Sequence, residues 1–288
     1  MPHPNSPKRS GKKAQKNRRF QKESGTKQKN TRKRQEFSRA DGDSLHLFGV
    51  HTVRAALENP KRKKTVLYAT ENALPKVQDV LENDLPDLRV ETRTAPALDQ
   101  LVGADAVHQG LVLECAPLDA LDASELFHLA DAELIVVLDQ ITDPHNAGAI
   151  LRSACALGAD AVITTNRNTV RETAVLAKSA SGALDHVKLI QLKNLSKGLA
   201  ELNEMGFFSF GLDSLGPLVV EETLKQANPS KIALVLGAEN KGLREKTRET
   251  CSALARLDMP GPIKSLNVSN AAILSLYIAK SHLRNLSR

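Results

Sequence analysis

Three stretches in the second half of this 288-residue chain place small, polar and backbone-exposing residues directly after apolar runs. They are LDQITDPHNAGAILRSA (Leu138–Ala154), IALVLGAENKGL (Ile232–Leu243) and LDMPGPIKSLNVSNAAILS (Leu257–Ser275). In the second, Val235 and Leu236 end a buried-looking strand and Gly237 and Ala238 remove side-chain bulk. Glu239, Asn240, Lys241 and Gly242 are then expected to start a helix, so that the backbone at Gly237 can approach a ligand closely. The third uses Pro260, Gly261 and Pro262 to bar regular structure and hold a loop open. Ser265, Asn267, Ser269 and Asn270 then crowd the start of an apolar helix from Ala271 to Ala279, where a cap needs only one such side chain. Taken alone, that segment also reads as a well-made loop with a good cap. Three such turns in one chain read as a composite ligand site.

The phosphate-cradling fingerprint G-x-G-x-x-G and the P-loop G-x-x-x-x-G-K-[ST] are both absent, which removes most support for dinucleotide redox chemistry and nucleotide hydrolysis. Cys115, Cys155 and Cys251 sit in apolar contexts without C-x-x-C or histidine-ligand spacing. They are expected to be buried thiols in a reducing compartment, not a disulfide frame or a metal site.

The three stretches resemble motifs one, two and three of the SpoU/TrmH family of knotted RNA methyltransferases. The matching residues are Asn146, Gly148 and Arg152 (N-x-G-x-x-x-R), Leu236 to Glu239 (L-G-x-E), and Ser265 to Ser269 (S-L-N-V-S), in the family's order. The resemblance implies methyl transfer from S-adenosylmethionine to a ribose 2'-hydroxyl of RNA, a cofactor pocket in a deep C-terminal trefoil knot, and a homodimer. It implies that Arg152 is the central catalytic residue with Asn146 as its partner. Glu239 is then expected to hold Arg152 or to bond backbone near the knot, and Ser265 and Asn267 to touch ribose or the cofactor carboxylate. Gly237, Leu257, Met259 and Leu266 are expected to wrap the adenine and sulfonium end, although plain core packing would suit Leu257 and Leu266 equally. Asp143, Pro144 and His145 shape the turn before Asn146. A guanidinium does not readily give up a proton, so Arg152 is read as a fork to an RNA phosphate and not as a free base.

Positioning such residues requires an α/β scaffold. Strands are expected at Leu134–Leu138, Ala161–Thr164, Val187–Gln191, Phe207–Gly211, Ile232–Gly237 and Ala255–Leu257. Helices are expected near Ala147–Leu157, Glu172–Ser179, Leu195–Met205, Leu243–Cys251 and Ala271–Leu283. Apolar strands alternating with helices make a parallel sheet covered on both faces, with ligand crevices at its carboxyl edge. The apolar face of the last helix could serve a dimer.

Residues 44–117 form a smaller α/β unit in this reading, with strands at Leu45–Val50, Thr65–Ala69, Leu88–Thr92 and Gly110–Cys115 and helices at Thr52–Leu57, Leu74–Leu81 and Ala97–Val102. FGVHTVRAAL (Phe48–Leu57) and VHQGLVLEC (Val107–Cys115) resemble the ribosomal-protein-like substrate-binding domain that many family members carry. His51, Arg54, His108 and Gln109 are its candidate RNA contacts. Residues 118–130 read as a linker capped at Ser124, and 131–288 as the catalytic domain.

Charge is uneven. The first 40 residues hold 14 Lys and Arg against two acids, and the remaining 248 residues bear a net charge of −5. Residues 1–43 are thus expected to be a disordered basic tail, either a phosphate-seeking arm or a solubilising leader. No run approaches a membrane span and no apolar leader is present, so a cytoplasmic protein is expected. Among family activities, guanosine methylation in 23S ribosomal RNA comes first. A transfer-RNA ribose methyltransferase, a resistance-type adenosine enzyme and a noncatalytic ribosome-assembly factor stay open.

Overall fold

In the large sheet the chain does what its apolar runs require. LIVVLD and IALVLG become the strands β5 (Leu134–Asp139) and β10 (Ile232–Gly237), paired in parallel from Leu134–Ile232 to Asp139–Gly237. The computed structural model describes residues 44–166, 171–239 and 241–286. The basic tail and Asn240 lie outside them.

The first sheet contains β1 (Leu45–Phe48), β2 (Lys64–Ala69), β3 (Arg89–Thr92) and β4 (Leu111–Cys115) in the order β1-β4-β2-β3. Its β4 runs antiparallel to both β1 and β2, and β3 lies parallel to β2. The helices α1 (Val50–Glu58), α2 (Gln78–Asp84) and α3 (Ala95–Val102) connect these strands. In the connector that follows, a 3-10 turn spans Ala123–Leu129. The expected cap at Ser124 is corrected to Asp122, two residues earlier, whose Oδ1 accepts the Ser124 N–H at 2.9 Å. Leu121 also bridges to Ile190, so the connector lies along the edge of the second sheet.

The second sheet contains seven strands, all parallel, in the order β7-β6-β5-β10-β8-β11-β9. Around β5 and β10 lie β6 (Ala161–Thr165), β7 (Lys188–Leu192), β8 (Phe208–Leu212), β9 (Leu218–Val219) and β11 (Ala253–Arg256). The helices are α4 (Pro144–Ala156), α5 (Ala174–Ala180), α6 (Leu195–Glu204), α7 (Val220–Ala227), α8 (Glu245–Thr250) and α9 (Val268–Leu286). Side chains alternate across the sheet, as a pleat demands. Leu134, Val136, Leu138, Ile232, Leu234 and Leu236 join the core under α4, α5, α7 and α9. Ile135, Val137, Ala233 and Val235 join the one under α6. Both faces are therefore dry, which is why these strands read as continuous apolar runs. Cys115, Cys155 and Cys251 are free thiols, and burial pushes Cys115 and Cys251 up to about 12. No helix among the described residues is long and apolar enough to cross a membrane.

Three further elements differ from expectation. No helix starts at Glu239: Ala238 and Gly242 form an antiparallel bridge, Gly242 takes a φ of +62°, and α8 begins only at Glu245. The pair β9–α7 was not expected, although Val220, Thr223 and Leu224 repeat at helical spacing and are all buried. Helix α4 starts at Pro144, three residues before the expected Ala147, because Asp143 caps it and proline suits the first helical position.

Gly148 sets how closely α4 approaches α5. A Cβ there would lie 2.4 Å from the Ser179 Cβ and 2.9 Å from both the Ala180 nitrogen and the Leu176 carbonyl oxygen. Backbone atoms cannot swing aside, so Gly148→Ala is expected to destabilise the chain by about 1–3 kcal/mol in denaturant unfolding. An unchanged unfolding midpoint would show that α4 is free to slide away from α5.

Candidate active site

Strands β5 and β10 end side by side, and the chain leaves each in a turn that no helix could make. Gln140 follows β5 with a φ of +61°, and Ile141 is buried beneath it. Asp143 then accepts the His145 N–H at 2.9 Å and Pro144 occupies the first helical turn, which brings Asn146 out at the start of α4. His145 Nδ1 lies 3.2 Å from the Ser179 hydroxyl on α5. After β10, the Gly242 N–H returns to the Ala238 carbonyl at 2.7 Å and puts Glu239 at the tip of a tight loop. Gly237 serves this return: the space of a Cβ there is filled by Gly242 and Leu243 backbone at 2.3–2.6 Å. The expected ligand approach is therefore not what explains this glycine.

The third segment completes the arrangement. Asn267 Oδ1 accepts the Ser269 N–H at 2.9 Å and its hydroxyl at 2.6 Å, which caps α9 and orients the amide. Its Nδ2 then donates to Asn146 Oδ1 at 3.0 Å and to Glu239 Oε1 at 2.5 Å. Asn146 Nδ2 donates to the same Glu239 oxygen at 3.1 Å, and the Val268 N–H reaches it at 3.3 Å. One carboxylate oxygen of the second segment thus gathers donors from the first and the third. A cavity of about 470 Å³ opens beside this ring, lined by Gln140, Thr142, Asn146, Ala238, Glu239 and Val268 among others. That volume falls within the range of small-molecule pockets.

Other expected residues lie apart. Arg152 is on α4, exposed, with no hydrogen-bond or ion-pair partner among the described residues. Glu239 is bonded to the two asparagines and to backbone, so it is not holding Arg152. Gly237, Leu257, Met259 and Leu266 are not among the residues lining the cavity. Leu257 and Met259 are half-buried, whereas Ser265 and Leu266 are exposed in the irregular loop that Pro260, Gly261 and Pro262 hold open. Lys264 ties that loop by donating to the Met259 carbonyl at 2.8 Å.

Three of the four candidate RNA contacts have structural tasks. Arg54 pairs with Asp79, with Glu58 at 2.8 Å and with the Lys76 carbonyl at 3.1 Å. His108 is 8% exposed, its Nδ1 accepting the Gly110 N–H and its Nε2 lying 3.2 Å from Asp99. Gln109 Oε1 accepts the Val50 N–H at 3.1 Å and so caps α1. His51 and Gln109 are exposed, and of the four only His51 has no structural side-chain bond among the described residues.

Sequence reasoning missed one pair. Asp139, fully buried at the end of β5, accepts the Arg244 N–H at 3.0 Å and its Nε at 2.6 Å. It thereby fixes the exit of the second segment to the end of the first. The available signal was an acid closing an otherwise apolar strand, since a buried carboxylate must find a partner.

A parallel sheet with a ligand crevice at its carboxyl edge, faced by a polar ring from three loops, defines a group-transfer or ligand-binding α/β domain. Comparison narrows the class. Residues 133–277 match the model of the SpoU rRNA Methylase family, and residues 46–121 match the one described as RNA 2'-O ribose methyltransferase substrate binding. The chain belongs to the SpoU rRNA methylase family. It is 36% identical over 242 residues to a 23S rRNA (guanosine-2'-O-)-methyltransferase, RlmB, of Pseudomonas putida, across 81% of this chain and 94% of that protein. Against the RlmB of Xylella fastidiosa it is 37% identical over 240 residues, with the same shares of the two chains. The fold is that of the SpoU methyltransferase AviRb from Streptomyces viridochromogenes, with a TM-score of 0.69 at 20% identity over 84% of this chain and 91% of that one. A second structure of that protein, in complex with the cofactor AdoMet, gives 0.68 at 23% identity over 85% and 91%.

The shared oxygen makes a test. Glu239→Ala is expected to release both asparagine amides and speed exchange of the Val268 amide, whereas Glu239→Gln keeps an acceptor and the closed ring. Equal exchange in the two variants, read by NMR, would show that the loops hold without it.

Proposed function

We propose that this chain transfers a methyl group from S-adenosylmethionine to the ribose 2'-hydroxyl of a guanosine in 23S ribosomal RNA. The observation that carries this reading is the Asn146–Glu239–Asn267 ring, which joins the family's three motifs at the crevice. The relatives of 36–37% identity, both spanning 94% of their own length, point to the same RNA. In this reading the last two motifs thread the trefoil knot, and the small sheet is a ribosomal-protein-like domain that holds RNA.

The residues present suit the cofactor. Leu266 and Ile263 are 41% and 72% exposed in the open loop, close in sequence to half-buried Leu257 and Met259. These offer apolar surface for an adenine face, and the exposed Ser265 hydroxyl is available for hydrogen bonding. When bound, the cofactor supplies an electrophilic methyl carbon. The chain's own part is to place the sugar oxygen and manage its proton. Asn146, its amide fixed by Glu239 and Asn267, supplies a rigid polar contact at the crevice. The exposed guanidinium of Arg152 forks onto an RNA phosphate, so that phosphate or water takes the proton. His51 remains as an RNA contact at the start of α1, and the basic tail adds salt-dependent affinity. Free thiols fit a cytoplasmic setting.

The decisive assay incubates the protein with labelled cofactor and unmodified ribosomal or transfer RNA, then maps the methylated ribose. Arg152→Lys is expected to leave cofactor affinity within about threefold and to reduce methyl transfer at least about a hundredfold, in keeping with the loss of a preorganised electrostatic contact. Full turnover by this variant, or labelling of transfer RNA alone, would overturn the reading.

The chain is also proposed to work as a homodimer. Ile273, Leu274 and Tyr277 form one strip of α9 and are 45%, 48% and 62% exposed. Such a strip is usual for an interface and costly on a monomer. Tyr277→Glu is expected to halve the mass measured by light scattering. An unchanged mass would exclude α9 as the contact.

A further inference from the structure

Arg62 lies between the two sheets and is 3% exposed, its side chain completely covered. Its Nε donates to Asp185 Oδ1 at 2.6 Å, and its Nη1 lies 2.7 Å from Glu172 Oε1 and 3.2 Å from the Ala116 carbonyl. Both carboxylates are themselves occupied. Asn59 Nδ2 donates to Asp185 at 3.0 Å, and the Leu118 N–H donates to Glu172 Oε2 at 2.7 Å. Lys64, bonded to the Asn59 carbonyl at 2.6 Å, adds a second cation nearby. Burial alone would lower the Arg62 pKa, but the Asp185 hydrogen bond and the charges of Glu172 and Asp185 raise it above its ordinary value.

The two carboxylates bracket one helix. Glu172 stands immediately before Thr173, the N-cap of α5, and Asp185 ends the 3-10 turn Ala183–Asp185 that follows α5. Between them the fit to the small sheet is close. Gly182 has a φ of +95°, and a Cβ there would lie 2.8 Å from the Ala55 Cβ and 3.1 Å from the His51 carbonyl oxygen. The opposite side of α5 carries α4 at the Gly148 contact and His145 at Ser179. A continuous path of contacts therefore runs from the small sheet through Arg62 and α5 to the helix bearing Asn146 and Arg152.

A buried ion cluster returns little net stability, because desolvating the charges offsets their attraction, and a well-packed apolar side chain would fill the space as well. A planar guanidinium fork adds direction instead: it donates to its carboxylates in one geometry only. We propose that Arg62 is a positioning residue that registers the RNA-holding sheet on α5, and through α5 on α4, so that bound RNA presents a single ribose to the catalytic edge. This rests on the methyltransferase reading given above.

The test compares the wild-type chain with Arg62→Lys and with the neutral triple variant Arg62→Met, Glu172→Gln, Asp185→Asn, which leaves no orphaned carboxylate. Cofactor affinity is read by calorimetry, methylation by rate and by mapping on 23S RNA, and backbone protection by hydrogen exchange. The triple variant is expected to keep cofactor affinity within about threefold and β5 and β10 protected, while exchange quickens in α1 and α5. Its transfer rate is expected to fall at least about tenfold, with label appearing on neighbouring riboses, and Arg62→Lys to fall between. Wild-type rate and a single methylated ribose in a triple variant with loosened α1 and α5 would overturn the proposal. Loss of β5 and β10 protection would also overturn it, by assigning the cluster to stability. A wild-type chain that labels no RNA would sink the methyltransferase reading, and the proposal with it.

Discussion

One carboxylate oxygen holds the candidate active site together. Glu239 Oε1 accepts from Asn146, 93 residues earlier in the chain, and from Asn267 and the Val268 backbone, 28 and 29 residues later. Bonds to an ionised acceptor are shorter and stronger than neutral ones, but all three residues stand near solvent, where such bonds add little to global stability. Their value is geometric. Each partner is first fixed by its own element: Asn146 by the Asp143 cap and Pro144, Glu239 by the Ala238–Gly242 bridge, and Asn267 by the cap it makes on α9. The ring then has little freedom left to lose, so closing it costs little entropy.

The ring needs a stiff backing, and the Asp139–Arg244 pair supplies part of it. A fully buried aspartate without a partner would carry a heavy desolvation penalty. Here both of its oxygens are engaged by Arg244, one by backbone N–H and one by guanidinium. The loop bearing Glu239 is thus held at both ends, by strand β10 before it and by this pair after it. Close contact at Gly148 performs the same service for α4, since helix α5 fills the volume a side chain would take.

Central strands were legible in the sequence because burial on both faces leaves only apolar residues, as LIVVLD and IALVLG show. At the sheet margin the rule weakens. The last strand was expected at Ala255–Leu257 and lies at Ala253–Arg256, where only Ala255 is buried and the alternation is diluted by partial exposure. In the site, residue types and order were legible while their pairings were not. Spacing along the chain says nothing about which donors converge on Glu239: of its two expected partners, Arg152 or backbone, the structure gives backbone at Val268, and two asparagines join it. Gly237 shows the same limit from the other side. Its lack of a side chain was apparent, but whether ligand or backbone uses the space depends on a loop that returns from five residues away. His108 and Gln109 read as candidate RNA contacts in the sequence because their partners, Gly110, Asp99 and Val50, are assigned only once the small sheet is assembled.

Five of the ten large apolar side chains exposed among the described residues fall in one stretch. Ile263, Leu266, Ile273, Leu274 and Tyr277 lie within 15 residues and flank Asn267 on both sides. Exposed apolar surface concentrated in this way is costly unless something covers it. On the proposed reading two different covers are available: the cofactor's adenine for the loop residues, and a second copy of the chain for the strip on α9. Since Asn267 and Val268 sit between the two and are tied to Glu239, ordering of either flank bears directly on the ring. A loop that is irregular for want of regular backbone bonding, and apolar at its tip, loses the most freedom when it is covered and gains the most contact in return. The openness of the third segment and the rigidity of the first two are therefore complementary: the rigid pair fixes where the ribose must go, and the open one admits what the pocket encloses.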